Sequence, residues 1–160
     1  GEKYTVTLPE IGLVELTPVS TNDTTYEGCP YKFTGAFANP GAPIAFTDQR
    51  RGEGGSGNIT IKNCVFENTN ANYTIYGHYV GDSTNGHGNF VIEKNTFKSA
   101  CNAGPIYLGR YASNVPVKVT GNAFETVRSI DYAIYVQDHG EGTPDLYGVS
   151  VDASDNTFAN

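Results

Sequence analysis

The sequence predicts an all-β fold, and three observations support this prediction. Val, Ile, Thr, Tyr and Phe, which favour strands, recur along the chain, whereas the strong helix formers Ala, Leu, Glu and Lys are together less frequent than in most domains. A segment that usually ends in Asn-x-Phe is repeated, and a shorter segment, usually Ile-Tyr-x, follows every copy except the last. We therefore expect repeating strands in a single domain over residues 1–160.

The charge balance excludes one class of partner. The chain carries 17 acidic and 10 basic residues, a net charge of −7, and no run of Lys and Arg. A negative surface repels phosphate backbones, so we expect no nucleic-acid binding. No apolar stretch approaches the roughly 18 residues that a membrane-crossing helix needs, so we also expect no membrane insertion.

The first 28 residues are predicted to form an extra turn or a cap on the N-terminal end of the repeats, which occupy residues 29–160. Two alternating runs, at residues 4–8 and 13–16, are interrupted by Pro9 and Pro18. The open end of a repeat stack needs such a cover. The chain starts at Gly1 and stops just past Phe158 in mid-repeat, so we expect a fragment of a longer extracellular protein.

The longer repeated segment is predicted to be a strand, a sharp turn and an inward-pointing Phe. Its copies span residues 59–66, 90–97, 117–124 and 151–158, with a weaker copy at 31–37. Ile59 and Ile61 alternate with polar residues, which is typical of a half-buried strand. The Asn, Gly or Asp residues that follow tolerate the left-handed conformation of a sharp bend. In the last copy, Val149 and Val151 are the expected strand pair, with extra residues before the turn.

The shorter repeated segment has the same period and stays in phase with the longer one. It begins at Ile44, Ile75, Ile106 and Ile134, which are 31, 31 and 28 residues apart. One unit is too short to close a core, but stacked units bury Ile on Ile and Phe on Phe, with the turn Asn side chains hydrogen-bonded along the stack. Strands that meet their own copies run parallel, so the sequence predicts a parallel β-helix solenoid of about four to five turns of roughly 30 residues.

The pattern Val-x-Ile-x-x-Asn-x-Phe followed by Ile-Tyr-x resembles the right-handed parallel β-helix repeat of the pectate-lyase-like superfamily. The resemblance covers residues 31–158 and implies a right-handed β-helix in a polysaccharide-active or a surface, adhesin-like protein. This fold also serves hydrolases, adhesins and phage tailspikes, so the fold does not settle the function.

The Ile-Tyr strands provide the candidate ligand-binding surface. If the Ile side chains point inward, the alternation of a strand places the next residue, usually Tyr, on the outside in one column. The apolar face of a sugar ring packs on Tyr, while Asp, Arg and His bind its hydroxyl groups. The superfamily resemblance implies a sugar-binding groove on this strip. The alternative is a tyrosine ladder that only stabilises the stacked strands. The ligand-binding candidates are Tyr76, His78, Tyr107, Arg110, Tyr135, Asp138, Asp48 and Arg50.

Two enzymatic alternatives remain open at this point. A polysaccharide lyase needs a base and a cation beside the uronate carboxylate, for which Arg110, His78 and His139 are the weak catalytic candidates. A glycoside hydrolase needs two carboxylates at a defined separation. Asp48 and Asp138 are three turns apart, roughly 14 Å at ~4.8 Å per turn, which is too far for either hydrolytic mechanism. Asp138 with Asp82 or with Glu141 is the carboxylate pair that stays open.

We expect no metal ion and no cofactor. The three cysteines form no Cys-x-x-Cys pair and have no zinc-ligand spacing to a His, so they are either buried small residues or include one disulfide. Calcium is the metal that acidic loop residues would suit, but those available are scattered in the sequence. They are Asp82, Asp138, Glu141 and Asp145.

These observations predict a non-catalytic, extracellular β-helix module of a surface or adhesin-like protein that binds a polysaccharide or glycan along its Ile-Tyr face. The protein is expected to be a monomer and to be secreted or held at the cell surface. The alternatives are a lyase or hydrolase acting on uronate-containing glycans, and a phage tailspike-like segment, which would need an exposed apolar stripe for trimer contacts.

Overall fold

The computed structural model describes residues 24–28, 30–33, 37, 41–46, 59–68, 71–78, 90–111, 115–126, 132–138 and 149–159. Within these ranges the chain forms fourteen strands and no helix. The predicted all-β class is confirmed for this part of the chain. Residues 1–23 of the predicted N-terminal cap or extra turn lie outside the described residues, whereas Thr24–Glu27 of the same segment form a strand that pairs in parallel with Ile59–Lys62.

The strands form three parallel sheets, and each repeat contributes one strand to each sheet in turn, except that the last described repeat contributes none to the third sheet. The first sheet contains β1 (Thr24–Glu27), β4 (Ile59–Lys62), β7 (Phe90–Glu93), β10 (Val115–Thr120) and β13 (Val149–Asp152). The second contains β2 (Pro30–Phe33), β5 (Val65–Asn68), β8 (Thr96–Phe97), β11 (Ala123–Phe124) and β14 (Thr157–Phe158). The third contains β3 (Ile44–Phe46), β6 (Ile75–His78), β9 (Ile106–Tyr111) and β12 (Ile134–Asp138). Each strand pairs in parallel with its counterpart in the next repeat, an arrangement compatible with a β-solenoid.

The strand register confirms the alignment of the four strong copies of the longer segment. Ile59 pairs with Phe90, which pairs with Val117, which pairs in turn with Val151. The expected strand over Val149 and Val151 is also confirmed. The predicted extra residues before the last turn are confirmed too, because Ala153 and Ser154 separate the end of β13 from Asp155, whereas Gly121 directly follows β10.

The weaker copy is wrong as aligned at residues 31–37. Tyr31, and not Phe37, pairs with Phe66 and occupies the position of the aromatic residue in this repeat. The reason is the turn, which needs a residue with positive φ, and Gly28 provides it with a φ of 65°. Phe37 instead packs its ring edge-on against Phe33, with 6.4 Å between the ring centroids.

The core is a set of like-on-like columns inside the three sheets. Phe97 stacks between Phe66 and Phe124, with ring centroids 5.4 Å and 4.9 Å away. Most inward Ile and Val residues of the first and third sheets, such as Ile61, Ile92 and Ile106, are also fully buried beside this aromatic column. Stacked rings at these distances add to the burial of apolar surface, so each repeat is stabilised by its neighbours more than by its own contacts.

A ladder of Asn side chains links the turns between the first and second sheets. The side-chain oxygen of Asn122 accepts hydrogen bonds from the Asn95 backbone N–H (2.9 Å) and from Asn95 Nδ2 (3.1 Å). Asn156 accepts the equivalent two bonds from Asn122, at 2.9 Å and 3.1 Å. The amide groups also donate to strand carbonyls of the preceding repeat, as Asn122 Nδ2 does to Ile92 (2.9 Å). The predicted hydrogen bonding along the stack is thus confirmed.

Cys64 occupies the Asn position in one repeat and makes some of the hydrogen bonds that Asn makes in the other repeats. Its thiol donates to the Tyr26 carbonyl oxygen at 3.6 Å, where Asn95 Nδ2 donates to the corresponding Ile61 carbonyl at 2.9 Å. Its backbone N–H donates to the Asn95 side-chain oxygen at 2.9 Å. The buried small-residue interpretation is therefore confirmed for Cys64, which is 1% exposed.

Candidate functional site

Three tyrosines form the predicted column on the outside of the third sheet. The Tyr76 and Tyr107 rings stack with their centroids 4.9 Å apart and 8° between their planes. Tyr107 and Tyr135 stack at 5.0 Å and 4°. Ile75 and Ile106, the residues before two of these tyrosines, are completely buried, whereas the tyrosines are half-buried. The alternation expected from the sequence therefore gives the observed inside and outside positions.

Two further tyrosines, Tyr73 and Tyr132, join the column and were not among the predicted site residues. Tyr73 lies beside Tyr76 and Tyr107, with ring centroids 5.1 Å and 5.4 Å away. Tyr132 lies 4.8 Å from Tyr135. We call these five residues the tyrosine wall. A sequence signal existed, because Tyr73 and Tyr132 each precede an Ile anchor by two residues.

Gly104 lies in the repeat between those of Tyr73 and Tyr132, and its lack of a side chain leaves space for the Tyr132 ring. It occupies the corresponding position, two residues before Ile106, and has a φ of 136°. A Cβ atom on Gly104 would collide with the backbone oxygen of Tyr132 and would lie 2.9 Å from its ring. Since position 104 has no side chain, Tyr132 can approach and form a side-chain hydrogen bond with Tyr73.

The orientation of the rings changes how a sugar can bind. Tyr107 has a parallel ring about 5 Å away on each side, so both of its faces are covered. No face of Tyr107 is therefore open for a sugar ring to stack on, and the sugar-binding role of the column stays a prediction. The edges of the rings and their hydroxyl groups remain the surface that a ligand can contact.

Crowding of the phenol groups raises the pKa of two members of the wall. The pKa of Tyr107 is raised, mainly by loss of hydration and then by repulsion between its phenolate and those of Tyr76, Tyr135 and Tyr73. The pKa of Tyr132 rises to about 12, again mainly by loss of hydration, with further contributions from Tyr73 and Tyr107. Tyr107 and Tyr132 are therefore protonated at neutral pH, and their hydroxyl groups can both donate and accept hydrogen bonds.

The tyrosine wall is expected to be a source of alkaline instability. A tyrosine whose folded-state pKa is raised binds its proton more tightly in the folded state, so its contribution is complete below pH ~10 and is lost as the pH rises towards 12. We expect the thermal unfolding midpoint of the wild-type protein to fall across this range. The phenolate absorbance at ultraviolet wavelengths should show a fraction of tyrosines that titrate late.

The matched variant for this prediction is Tyr132→Phe, which keeps the ring and removes the titrating group. We expect this variant to lose part of the late-titrating absorbance and to show a shallower decline of the midpoint above pH ~10. Identical titration and identical pH dependence in the two proteins would contradict the assignment of the raised pKa to Tyr132.

The polar site candidates are only partly placed by the structure. His78, Arg110 and Asp138 lie at or near the ends of β6, β9 and β12, beside the tyrosine column, but only their backbone is described. A bulge in β12 pairs Asp138 with Tyr111. Asp48, Arg50 and His139 lie outside the described residues. The roles of all six side chains in ligand binding or catalysis stay predictions.

A cluster of polar side chains, Asn68, Thr74 and Cys101, lies between the second and third sheets and is linked by hydrogen bonds. Asn68, which is 8% exposed, donates from Nδ2 to Thr74 Oγ1 at 2.6 Å and to Cys101 Sγ at 3.2 Å. Burial raises the pKa of the Cys101 thiol, which favours its protonated form at neutral pH. Cys29 lies outside the described residues.

Neither a metal site nor a membrane-spanning helix is found among the described residues. Among the described residues, no group of three or more His, Cys, Asp and Glu side chains could hold a metal ion. In the same part of the chain, no helix has the length and hydrophobicity to cross a membrane. Comparisons of the chain with protein-family models, curated proteins and solved structures give no match.

Proposed function

We propose that this chain is a right-handed parallel β-helix of the pectate-lyase-like kind, and that it is a non-catalytic module of a secreted or cell-surface, adhesin-like protein. In this proposal the module binds a glycan along the edge of its tyrosine wall. The single observation that supports the function is the wall itself, five tyrosines held in a row on the outside of the third sheet.

The proposed right-handed winding rests on a general property of parallel sheets. A connection that joins two parallel strands of one sheet is right-handed in about 98% of proteins. Here the neighbouring strands of each sheet are parallel, and the chain between them passes through the other two sheets. The proposed β-helix repeats this connection in every turn.

The chemistry of the wall suits an extended glycan better than a compact ligand. Tyr76, Tyr107 and Tyr135 present a hydroxyl group each, on rings spaced 4.9 Å and 5.0 Å apart. Aromatic ring edges carry a partial positive charge and hydroxyl groups donate and accept, so both can bind the hydroxyl oxygens of a polysaccharide that runs along the stack. Because the protein has a net charge of −7, we expect a neutral glycan to bind more tightly than a polyuronate at low ionic strength.

The test is a pair of substitutions at Tyr107 combined with a panel of soluble neutral glycans and polyuronates. Tyr107→Phe keeps the stacked ring and removes the hydroxyl group, so we expect an unchanged unfolding midpoint and about fivefold weaker glycan binding, as for the loss of one hydrogen bond. Tyr107→Ala opens a gap in the wall and should weaken binding further. Affinities are measured by titration calorimetry.

Tyr26→Phe is the control, since Tyr26 packs against the core from β1 and is not part of the wall. It should bind as the wild type does. If the wild-type chain binds no glycan of the panel, or if Tyr107→Phe binds as tightly as the wild type, the wall serves only as a ladder between strands and the proposed function is wrong.

The same samples distinguish a module from a lyase. Uronate elimination creates an unsaturated product that absorbs ultraviolet light, so release of this product, lost on replacement of Arg110, would replace the non-catalytic proposal with a lyase. The tailspike-like alternative receives no support from the described residues. Their exposed large apolar side chains, Val151 and Phe158, both lie in the last repeat and form no stripe along the side of the stack.

A further inference from the structure

Two members of the tyrosine wall, Tyr73 and Tyr132, contact each other although one repeat lies between theirs. Tyr73 precedes β6 and Tyr132 precedes β12, and the repeat between them has Gly104 at the corresponding position. A side-chain hydrogen bond joins the two tyrosines. Because a tyrosine side chain has a single polar atom, this bond holds the two hydroxyl oxygens within hydrogen-bond distance of each other.

The stacked rings of the wall have a different mutual orientation. Tyr76 and Tyr107 are parallel to within 8°, and Tyr107 and Tyr135 to within 4°. These residues pair in register on parallel strands, so their rings lie face to face and their hydroxyl groups point in the same direction. Tyr73 and Tyr132 instead approach each other through their hydroxyl-bearing edges, which brings the ring carbons beside the two hydroxyl groups close together.

Both members of this pair are half-buried, and both lie against the stack. The Tyr73 ring is 5.1 Å from the Tyr76 ring, and the Tyr132 ring is 4.8 Å from the Tyr135 ring, measured between centroids. An electron can pass between aromatic rings in van der Waals contact. A radical formed on a ring of the stack can therefore reach the pair.

We propose that Tyr73 and Tyr132 are a site of oxidative modification, at which hydrogen peroxide, acting through a haem peroxidase, joins the two rings as a dityrosine. Each phenol loses one electron and its hydroxyl proton, and the two phenoxyl radicals couple through one new bond between the ring carbons beside the hydroxyl groups. The hydrogen on each of these carbons then moves to the oxygen as a proton, which restores two phenols. Hydrogen peroxide accepts the two electrons and two protons and becomes two molecules of water.

The product keeps the arrangement that the hydrogen bond already provides. In a dityrosine, the two hydroxyl groups are on the carbons next to the new bond and therefore lie side by side. The bond would span the repeat of Gly104, where a side chain would collide with Tyr132. It would close a loop of about 60 residues, which reduces the entropy of the unfolded chain. We therefore expect the modified protein to unfold at a higher temperature than the unmodified protein.

The experiment treats the full chain, at low concentration, with hydrogen peroxide and a haem peroxidase. A tryptic digest is then analysed by mass spectrometry. We expect one main cross-linked pair of peptides, residues 63–94 and 129–160, whose mass is lower than their sum by two hydrogen atoms. Fragment ions should place the link at Tyr73 and Tyr132. Dityrosine fluorescence should appear in the monomer fraction, and this fraction should show the raised unfolding midpoint.

Two variants test the assignment of the pair. Tyr73→Phe and Tyr132→Phe each keep the ring but cannot form a phenoxyl radical, so each should lose this cross-link and most of the dityrosine fluorescence, with an unchanged circular dichroism spectrum. Tyr26→Phe is the matched control, because Tyr26 lies in β1 and outside the wall, and it should give the wild-type yield. Oxidation of the wild type in concentrated urea should give little of this link, because unfolding separates the two hydroxyl groups.

Four results would overturn the proposal. They are a main cross-link at any other pair of tyrosines, cross-links mainly between molecules, an equal yield of the link in folded and urea-unfolded protein, and no dityrosine in protein that is folded by circular dichroism. None of these results depends on whether the wall binds a glycan.

Discussion

Replacement of Asn122 by Ala is expected to lower the free energy of unfolding by about 3–5 kcal/mol, because it leaves several buried polar groups without partners at about 1–3 kcal/mol each. The Asn122 side chain is 1% exposed. Its oxygen accepts two hydrogen bonds from Asn95, and its Nδ2 donates to the Ile92 carbonyl and to Asn156. No water can reach these groups, so a methyl group leaves the Asn95 N–H and the Ile92 carbonyl unsatisfied.

Asn156→Ala is the matched control, because it removes the same side chain from the last described repeat. Asn156 is only partly buried there, so water can replace some of the lost hydrogen bonds, and we expect a loss of about 1–2 kcal/mol. Both values come from denaturant unfolding followed by circular dichroism, with the slope of the transition compared between variants. Similar losses at positions 122 and 156 would show that burial does not determine the energy of the ladder.

Asn122→Cys tests how many of the Asn122 side-chain hydrogen bonds a thiol can replace. Cys64 occupies the equivalent position in an earlier repeat and donates from its thiol to the Tyr26 carbonyl. We expect Asn122→Cys to be more stable than Asn122→Ala and less stable than the wild type, because a thiol supplies the weak donor but not the carboxamide acceptor.

Replacement of Phe97 by Ala is expected to cost about 3–5 kcal/mol of unfolding free energy, as for other large aromatic residues removed from a packed core. Phe97 is 1% exposed and stacks on Phe66 and on Phe124, so its removal breaks the aromatic column in the middle. The rings on either side cannot close the gap, because each is held by a backbone that is paired to its own neighbours.

Phe158→Ala is the corresponding change at the end of the same column, and it should cost about 1 kcal/mol or less since most of that ring is already in water. Phe158 is 57% exposed and stacks on one ring only. Thermal and denaturant unfolding of the two variants provide the measurement. A loss for Phe158→Ala as large as that for Phe97→Ala would contradict the account in which neighbouring repeats supply the stability.

The repeat period of the sequence predicted most of the pairs of residues that lie side by side in neighbouring repeats. Residues one repeat apart, such as Phe97 and Phe124, lie side by side because each strand pairs with its own copy. The alignment failed where a different residue type filled the same position. Tyr31 occupies the position that Phe has in the other repeats, and Gly28 forms the turn before it. Phe37 therefore matched the sequence pattern better than Tyr31, the residue that occupies the position in the structure.

The sequence predicted where the candidate site lies on the third sheet, but not how its tyrosine rings are arranged. The alternation of Ile and Tyr sufficed to place Tyr76, Tyr107 and Tyr135 on one outer column. It did not predict Tyr73 and Tyr132, whose approach depends on space that neighbouring repeats leave between them. The polar candidates cannot be judged in the same way, because their side chains lie outside the described part of the chain.

The sequence by itself determined which residues stack in the four strong copies of the longer segment, since a period near 30 residues and the alternation along each strand specify both the neighbour of a residue and the side of the strand on which it lies. Only the tertiary structure decided how the stacked groups face one another. Side-chain torsions are set by packing between repeats, and at Tyr107 this packing covers both faces of the ring.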